Sequence, residues 1–401
     1  MKLTSLHIAG FKSIDANQGQ TITLGDITVL LGVNGSGKSN LLSFFSLLQA
    51  LATGKLDSYV GRYGVNRLLH YGTKQTQVLK FQLKFDDGAL NIYQPKLTLS
   101  VPDRLQFEGE LVASDPCKLQ FEDELIEFGQ HPPMEGVPFI PRYHKTENQN
   151  CISEYYHLHA NNRHEAGLLE DKNVTGIGIR NFLKNIRSYQ FHDTSETAKI
   201  KDRCYIDDCA FLYSDAGNLA AFLRRLKITP EYKKYYQRIV SFIRSIMPQF
   251  GDFDLEPLPG NKDYIRLNWR DVSGGEYLFD SHQLSDGTLR FMALTTLLLQ
   301  PPDLMPTLII LDEPELGLHP AAISAFAAMV NLASEHCQLL LATQSTRLVD
   351  EFEADNLIIA VQDKSKRASV YRRLKGKQLK SWLKRYSLSE LWEKNVLGDQ
   401  V

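Results

Sequence analysis

Cysteine is scarce in these 401 residues, and none of it is paired by spacing. Cys117, Cys151, Cys204, Cys209 and Cys337 are odd in number and scattered, with no CxxC among them. That gives no basis for a disulfide framework, and reduced thiols are expected. Long apolar runs are missing too. The N-terminal MKLTSLHIAGFKSI holds no stretch long enough for a signal peptide, and no later run is long enough to span a bilayer. A cytoplasmic protein with no membrane partner is therefore expected. Charge of one sign is also lacking. Forty-five Lys and Arg against 47 Asp and Glu leave a net charge of −2. This removes any global electrostatic case for nucleic acid as the main partner. There are no repeats and no low-complexity tract. What is present is 43% hydrophobic and 23% charged residues. That is enough for a sizeable core, in one large domain or two ordinary ones.

The apolar residues fall into strand and helix periods. LTSLHIAGF and TITLGDITVLLG alternate as strands do, and the second closes in a buried-type run from Ile27 to Leu31. NLLSFFSLLQALATG has helical spacing and stops at Gly54. Residues 78–110 read as further strands, with Asp86-Asp87-Gly88 as a hairpin turn. Residues 115–160 read as polar and irregular, with Pro132, Pro133, Pro138 and Pro141. From Glu165 to about Met247 the period is mostly helical. Then come the strand DYIRLNW, the helix TLRFMALTTLLLQ and the buried strand TLIILDEP. A helix from about Ala321 to Glu335 and the buried strand CQLLLATQS follow. Buried strands alternating with helices predict an α/β core with a parallel sheet, its pieces at the two ends of the chain.

Gly32-Val-Asn-Gly-Ser-Gly-Lys38-Ser39 matches GxxxxGK[ST] in full, after a buried strand and before an apolar helix. Glycines let such a loop turn tightly and aim N–H groups at phosphate oxygens, and the helix start adds its positive dipole end. Lys38 then reaches the β- and γ-phosphates, and the Ser39 hydroxyl ligates Mg²⁺. The bland alternative is a Gly-rich turn that happens to end in Gly-Lys-Ser. Leu308-Ile-Ile-Leu311-Asp312-Glu313 is a strand of aliphatics ending in two acids. The strand carries Asp312 to the sheet's C-terminal edge, where it can hold Mg²⁺. Glu313, one residue on, is placed to polarise an attacking water. Alone, the run is equally a strand that ends in a polar turn.

With these motifs in place, the sequence resembles ABC-type ATPases of the SMC/RecF/OLD kind, and more narrowly the AAA_21 group. The resemblance rests on IAGFKSI before VLLGVNGSGKSN, YQFHDTSE, DAGNLAAFL, LSDGTLRFMAL, IILDEPELGLHP with LLLATQS, and YSLSELWEKNVLG. It runs nearly end to end. It implies an α/β, ABC-type P-loop ATPase head. Such a head has a central parallel or mixed sheet, an antiparallel β subdomain and a largely helical insertion. Residues 1–110 would form the N-terminal part of the head, 111–265 the insertion and 266–401 the C-terminal part. ATP and Mg²⁺ are the implied cofactors, with slow hydrolysis. Asn34, Gly35, Ser36, Gly37, Lys38, Ser39 and Asn40 are the implied contacts of the loop. Each nucleotide would lie between one subunit's phosphate loop and the other's signature motif, in a homodimer or higher oligomer whose assembly depends on ATP.

Two segments compete for the signature. Leu284-Ser285-Asp286-Gly287-Thr288 opens a helix and precedes the acidic strand by one helix and one loop, as the family arrangement requires. Ser285 would then donate to the γ-phosphate in trans, and Gly287 would permit close approach. Asp286 departs from the usual Gly. A carboxylate there is unfavourable unless it faces away, for example by capping the helix. Ser273-Gly274-Gly275-Glu276 looks better as a string, but no helix follows it, and it reads as a β-turn.

Other positions follow from the resemblance. Pro314 to Pro320 resembles the D-loop, with His319 either contacting nucleotide or simply starting a helix. Gln344 stands where ABC proteins usually carry a switch histidine, so only a neutral amide is offered to the γ-phosphate. Gln75 and Gln77 are candidates for the Q-loop. His192-Asp193-Thr194-Ser195 reads as a structural corner in the insertion. His157, His159 and His164 tempt a metal reading, but no set of ligands completes it. The basic run from Lys364 to Arg385 is either a contact for DNA phosphates or an acidic partner, or a solvated face. The expectation is a dimeric ATP switch that gates or scaffolds a separate effector, such as a nuclease, in anti-phage defence. The alternative is a DNA repair ATPase that clamps DNA directly.

Overall fold

The computed structural model describes residues 1–86, 90–100, 118–128, 140–146, 149–157, 166–275, 277–363 and 365–399. From the N-terminus come β1 (Lys2–Ala9), β2 (Gln20–Thr23) and β3 (Ile27–Leu31), then α1 (Lys38–Ala52), α2 (Leu56–Tyr63) and α3 (Val65–Leu68). Next are β4 (Val78–Asp86), β5 (Leu90–Ser100), β6 (Lys118–Phe128), β7 (Ile140–Thr146) and β8 (Gln149–His157). Then come α4 (Val174–Lys184), β9 (Ile186–Tyr189), β10 (Cys204–Tyr205), α5 (Leu219–Ile228) and α6 (Lys233–Ile246). Short strands β11 (Phe250–Asp254), β12 (Tyr264–Ile265), β13 (Asn268–Asp271) and β14 (Phe279–Asp280) lead to α7 (Asp286–Leu299). The chain continues with β15 (Leu308–Asp312), α8 (Pro320–Ala333), β16 (Gln338–Thr343) and α9 (Thr346–Val349). It ends with β17 (Leu357–Asp363), β18 (Ala368–Arg373), α10 (Gly376–Leu379), α11 (Leu388–Glu393) and α12 (Val396–Asp399).

These elements form two compact units whose segments alternate along the chain. One comprises Met1–Gly25, Gly32–Ile186 and Ile359–Arg373; the other comprises Asp26–Leu31, Arg187–Ile358 and Leu374–Val401.

The first unit is built on an antiparallel sheet in the order β2-β1-β4-β5-β6-β8-β7. Residues 115–160, read from the sequence as irregular, therefore contribute three strands where they are described. The prolines misled that reading. Pro141 lies in β7, an edge strand of the sheet, where a missing N–H costs no ladder bond. The turn Asp87-Gly88 lies outside the described residues, but β4 and β5 pair antiparallel on either side of it. Helix α1 starts at Lys38 and buries Leu41, Phe44, Phe45, Leu48 and Leu51. Each such side chain stabilises the fold by roughly 1.5–3 kcal/mol. Gly54, at φ +66°, terminates it as expected.

The second unit carries the parallel core. β3, β16, β15 and β9 are consecutive neighbours, and β3, β16 and β15 run parallel. All five residues of β3 and all six of β16 are buried, which is why both read as unbroken apolar runs rather than alternating ones. Helix α7 packs against α6 and α8 and is buried at nearly every position from Leu289 to Leu299. No helix among the described residues is long and apolar enough to cross a membrane.

Candidate functional site

The phosphate loop occupies residues 32–38 between β3 and α1. Gly35 and Gly37 take φ of +79° and +106°, conformations that only glycine enters without strain. A side chain at Gly37 would collide with Ser369, with the Tyr371 hydroxyl 2.9 Å away. That hydroxyl donates to the Gly37 carbonyl at 2.8 Å, so β18 clamps the loop from behind. Lys38 is buried, and its Nζ donates to the loop's own carbonyls at Gly32 (2.6 Å) and Val33 (3.2 Å). Ser36 is 1% exposed, and its Oγ is buried without a hydrogen-bond partner. A buried hydroxyl of that kind in a glycine loop fits a phosphate oxygen as its missing partner. Asn34, Gly35 and Ser39 face solvent. Asn40 does not reach into the loop: its Nδ2 donates to Ser13 Oγ at 2.8 Å, which in turn meets Ser369 Oγ at 2.8 Å.

Beside this network the same unit holds a cleft of about 850 Å³, lined among others by Lys12, Ser13, Asn40, His70, Tyr71 and Arg367. His70 and Tyr71 meet edge to face at 4.5 Å, and Tyr71 is half exposed. The only sequence signal for this cleft is Lys12-Ser13, inside the segment IAGFKSI.

In the second unit, parallel pairing sets the acidic strand end. Asp312 pairs with Ala342, and Thr343 with Leu31, the residue that leads into the loop. Glu313 takes φ +44°, a left-handed conformation that is uncommon for a non-glycine residue, and its N–H donates to the Ala342 carbonyl at 2.8 Å.

Gln75 and Gln77 are exposed residues of the first unit, in the segment before β4. The glutamine that reaches the acidic end is Gln190, just after β9, with its Nε2 at 3.3 Å from Asp312 Oδ2. The sequence offered a strand followed by Gln in SYQF, but not the fact that β9 neighbours β15. His192 follows, and its Nε2 donates to the Asp312 carbonyl at 2.8 Å. The segment His192–Ser195 is therefore no remote corner of an insertion: it braces the acidic strand end.

Ser285 caps α7, accepting from the Thr288 amide at 3.1 Å, and remains exposed. The cap is thus Ser285 rather than Asp286. Asp286 sits in the first turn, 3.7 Å from the ammonium of Lys201. Ser273-Gly274-Gly275 lies in the loop between the paired strands β13 and β14, as a turn should; Glu276 is outside the described residues. Arg290 of α7 donates to the carbonyls of Phe191 (3.0 Å), His192 (2.8 Å) and Leu316 (2.8 Å), and to Thr194 Oγ1 (3.3 Å). One guanidinium thus ties α7 to the Phe191–Thr194 segment and to the loop after Glu313.

His319 caps α8, its Nδ1 accepting from the Ala321 amide at 3.3 Å, and its ring is exposed. This is the helix-start role, and it leaves Nε2–H facing outward. Gln344 is exposed at the end of β16. Next to it, the Thr343 hydroxyl donates to Glu315 Oε1 at 2.5 Å, while Glu315 Oε2 is buried without a partner. Burial pushes the Glu315 carboxyl above the usual range, against the opposing pull of the Thr343 hydroxyl. His159, His164 and Lys364 lie outside the described residues, and of the basic run only the part from Ser365 onward is described.

Residues 180–350 match the family AAA_21, described as "AAA domain, putative AbiEii toxin, Type IV TA system". Among solved structures, the chain is similar to an SMC head bound to the C-terminal winged-helix domain of ScpA. That likeness has a TM-score of 0.54 at 14% identity, over 95% of this chain and 100% of the other. It is also similar to an SMC head with an extended coiled coil bound to the C-terminal domain of ScpA, from Pyrococcus furiosus. Here the TM-score is 0.51 at 14% identity, over 96% of this chain and 98% of the other. Over residues 180–350 the chain thus matches the AAA_21 family, and nearly its whole length shares the fold of SMC heads. No curated protein matches its sequence. The chain thus has the fold expected of it, a mixed α/β head with separate antiparallel sheets.

Proposed function

We propose that this chain is an ATPase that works as an ATP-driven dimeric switch. One copy offers ATP·Mg²⁺ on its phosphate loop, and a second copy closes on the γ-phosphate with Ser285 and the first turn of α7. The observation that carries this reading is the start of α7: a capped helix N-terminus, headed by the family's signature segment and open to solvent. Within each copy, Lys38 and the loop amides bind the phosphates, and Ser36 Oγ gains its missing partner. The cleft at Lys12, His70 and Tyr71 is the room for the nucleoside. By their motifs Ser39 and Asp312 each offer a hard oxygen ligand of the kind that suits Mg²⁺, and Gln190 hydrogen-bonds the Asp312 carboxylate. Mg²⁺, when bound, neutralises charge on the phosphate oxygens. Glu313 accepts the proton of the attacking water, and the Gln344 amide hydrogen-bonds the γ-phosphate without a charge, which fits slow turnover.

The output is gating of a separate effector, with anti-phage defence as its setting. The SMC heads it resembles are both bound to domains of ScpA, which is support for a head of this shape carrying a partner protein. Phosphate release and ATP binding measured on Lys38→Ala and Glu313→Gln test the ATPase mechanism. Hydrolysis falls at least about a hundredfold in both, while Glu313→Gln still binds ATP. Undiminished turnover in both variants would overturn these assignments.

A further inference from the structure

Asp286 poses an electrostatic problem at the proposed phosphate contact. It follows Ser285 directly, and its side chain is 61% exposed. A carboxylate at that point repels the terminal phosphate of any nucleotide docking on α7. The fold places one cation against it. Lys201, at the end of a short 3₁₀ turn (Lys199–Lys201), has a side chain only 5% exposed, and its Nζ lies 3.7 Å from Asp286 Oδ1. The turn is anchored there, since the wholly buried Ser281 donates through Oγ to the Lys201 carbonyl at 3.1 Å. At 3.7 Å the ion pair is loose, although one of its members is almost completely withdrawn from water. Burying a lysine costs several kcal/mol that a loose pair alone does not repay. The ammonium is therefore held close to Asp286, beside the helix start that Ser285 caps. Asp193, which also feels the charge of Lys201, has its carboxylate engaged by the Ser195 hydroxyl (2.7 Å) and amide (3.1 Å).

We infer that Lys201 is the countercharge through which an Asp-bearing signature accepts a nucleotide's terminal phosphate. Its positive charge cancels Asp286, leaving the α7 dipole and Ser285 to act on a locally neutral surface. Lys201 is a positioning and charge-balancing residue; it performs no chemistry. This inference rests on the dimer reading above.

The test uses the full chain carrying Glu313→Gln, with ATP and Mg²⁺ as the probe and self-association measured by sedimentation. Adding Lys201→Met weakens ATP-driven association about tenfold, because Asp286 is left unopposed. Adding Asp286→Asn alone strengthens it, because the signature gains a net positive charge. The double change returns it to within about threefold of the parent. A purely structural ion pair gives the opposite sign for Asp286→Asn, since removing the acid leaves a buried lysine alone. Association that is unchanged by Lys201→Met, or weakened by Asp286→Asn, overturns the inference. If Lys201→Met does not fold, the sign of the Asp286→Asn effect decides. If the parent itself fails to associate with ATP, the dimer reading falls and this inference falls with it. If the parent associates and the variants do not follow the pattern, only the inference falls.

Discussion

The carbonyl oxygen of Gly317 lies where a side chain on Gly287 would begin. Gly287 is therefore required by the loop after Glu313 in the same copy, independently of its proposed place in a signature. Arg290 reinforces this contact one turn along, reaching the Leu316 carbonyl at 2.8 Å. The loop after Glu313 and the helix that carries Ser285 are thus in direct contact at two points.

Gly287→Ala has to push that loop away. We expect it to destabilise the fold by about 1–3 kcal/mol in urea unfolding and to lower ATP hydrolysis. Gly275→Ala, in the β13–β14 loop, meets nothing closer than 3.8 Å and should stay within about 0.5 kcal/mol of the wild type. Equal effects of the two substitutions would remove the distinction between signature and turn.

In the phosphate loop, Gly37→Ala strains a residue at φ +106° and strikes Ser369 behind it. ATP affinity should fall by more than about tenfold, the equivalent of roughly 1.4 kcal/mol. Gly35→Ala meets nothing within 4 Å and carries only the backbone penalty at φ +79°. It should bind ATP more tightly than Gly37→Ala, as a titration with labelled nucleotide would report.

Gln190→Ala should reduce turnover about tenfold to a hundredfold at saturating ATP, through the loss of its contact to Asp312, with a smaller change in KM. Gln75→Ala and Gln77→Ala should leave both constants alone. Activity lost in either of the latter, with Gln190→Ala unaffected, would return the role to the segment before β4.

That contrast marks how far the sequence could be read. The strands β3, β15 and β16 were legible because burial on both faces leaves a continuous apolar run, and the motifs at their ends are local strings. Gln190 and His192 were not. Their roles depend on β9 lying next to β15, and strand order has no local spelling. Lys201 was invisible for the same reason: 85 positions separate it from Asp286 in the sequence, and only the fold brings them to 3.7 Å. The strands β6, β7 and β8 were hidden by prolines and charges, of which Pro141 in the edge strand β7 is one. Asp286 was suspected of capping α7, but the residue with the right backbone for a cap was its neighbour Ser285.

Glu315 supplies a pH dependence. Its carboxyl is raised in the folded chain by burial, so its contribution to stability is complete below the ordinary value of 4.5 and is lost as pH rises through the raised value. Glu315→Gln mimics the protonated form and does not titrate. The stability of the wild type relative to this variant should therefore decline as pH rises upward from 4.5, measured by urea unfolding at successive pH values. A constant difference would mean that the carboxyl is not buried as described.

The central claim is that ATP brings two copies together. Sedimentation velocity of Glu313→Gln, with and without ATP and Mg²⁺, tests it most directly. The account predicts the mass of one chain without nucleotide and of two chains with it, and a return to one chain when Ser285→Arg is added. A mass that does not respond to ATP, or a dimer indifferent to Ser285→Arg, would contradict it.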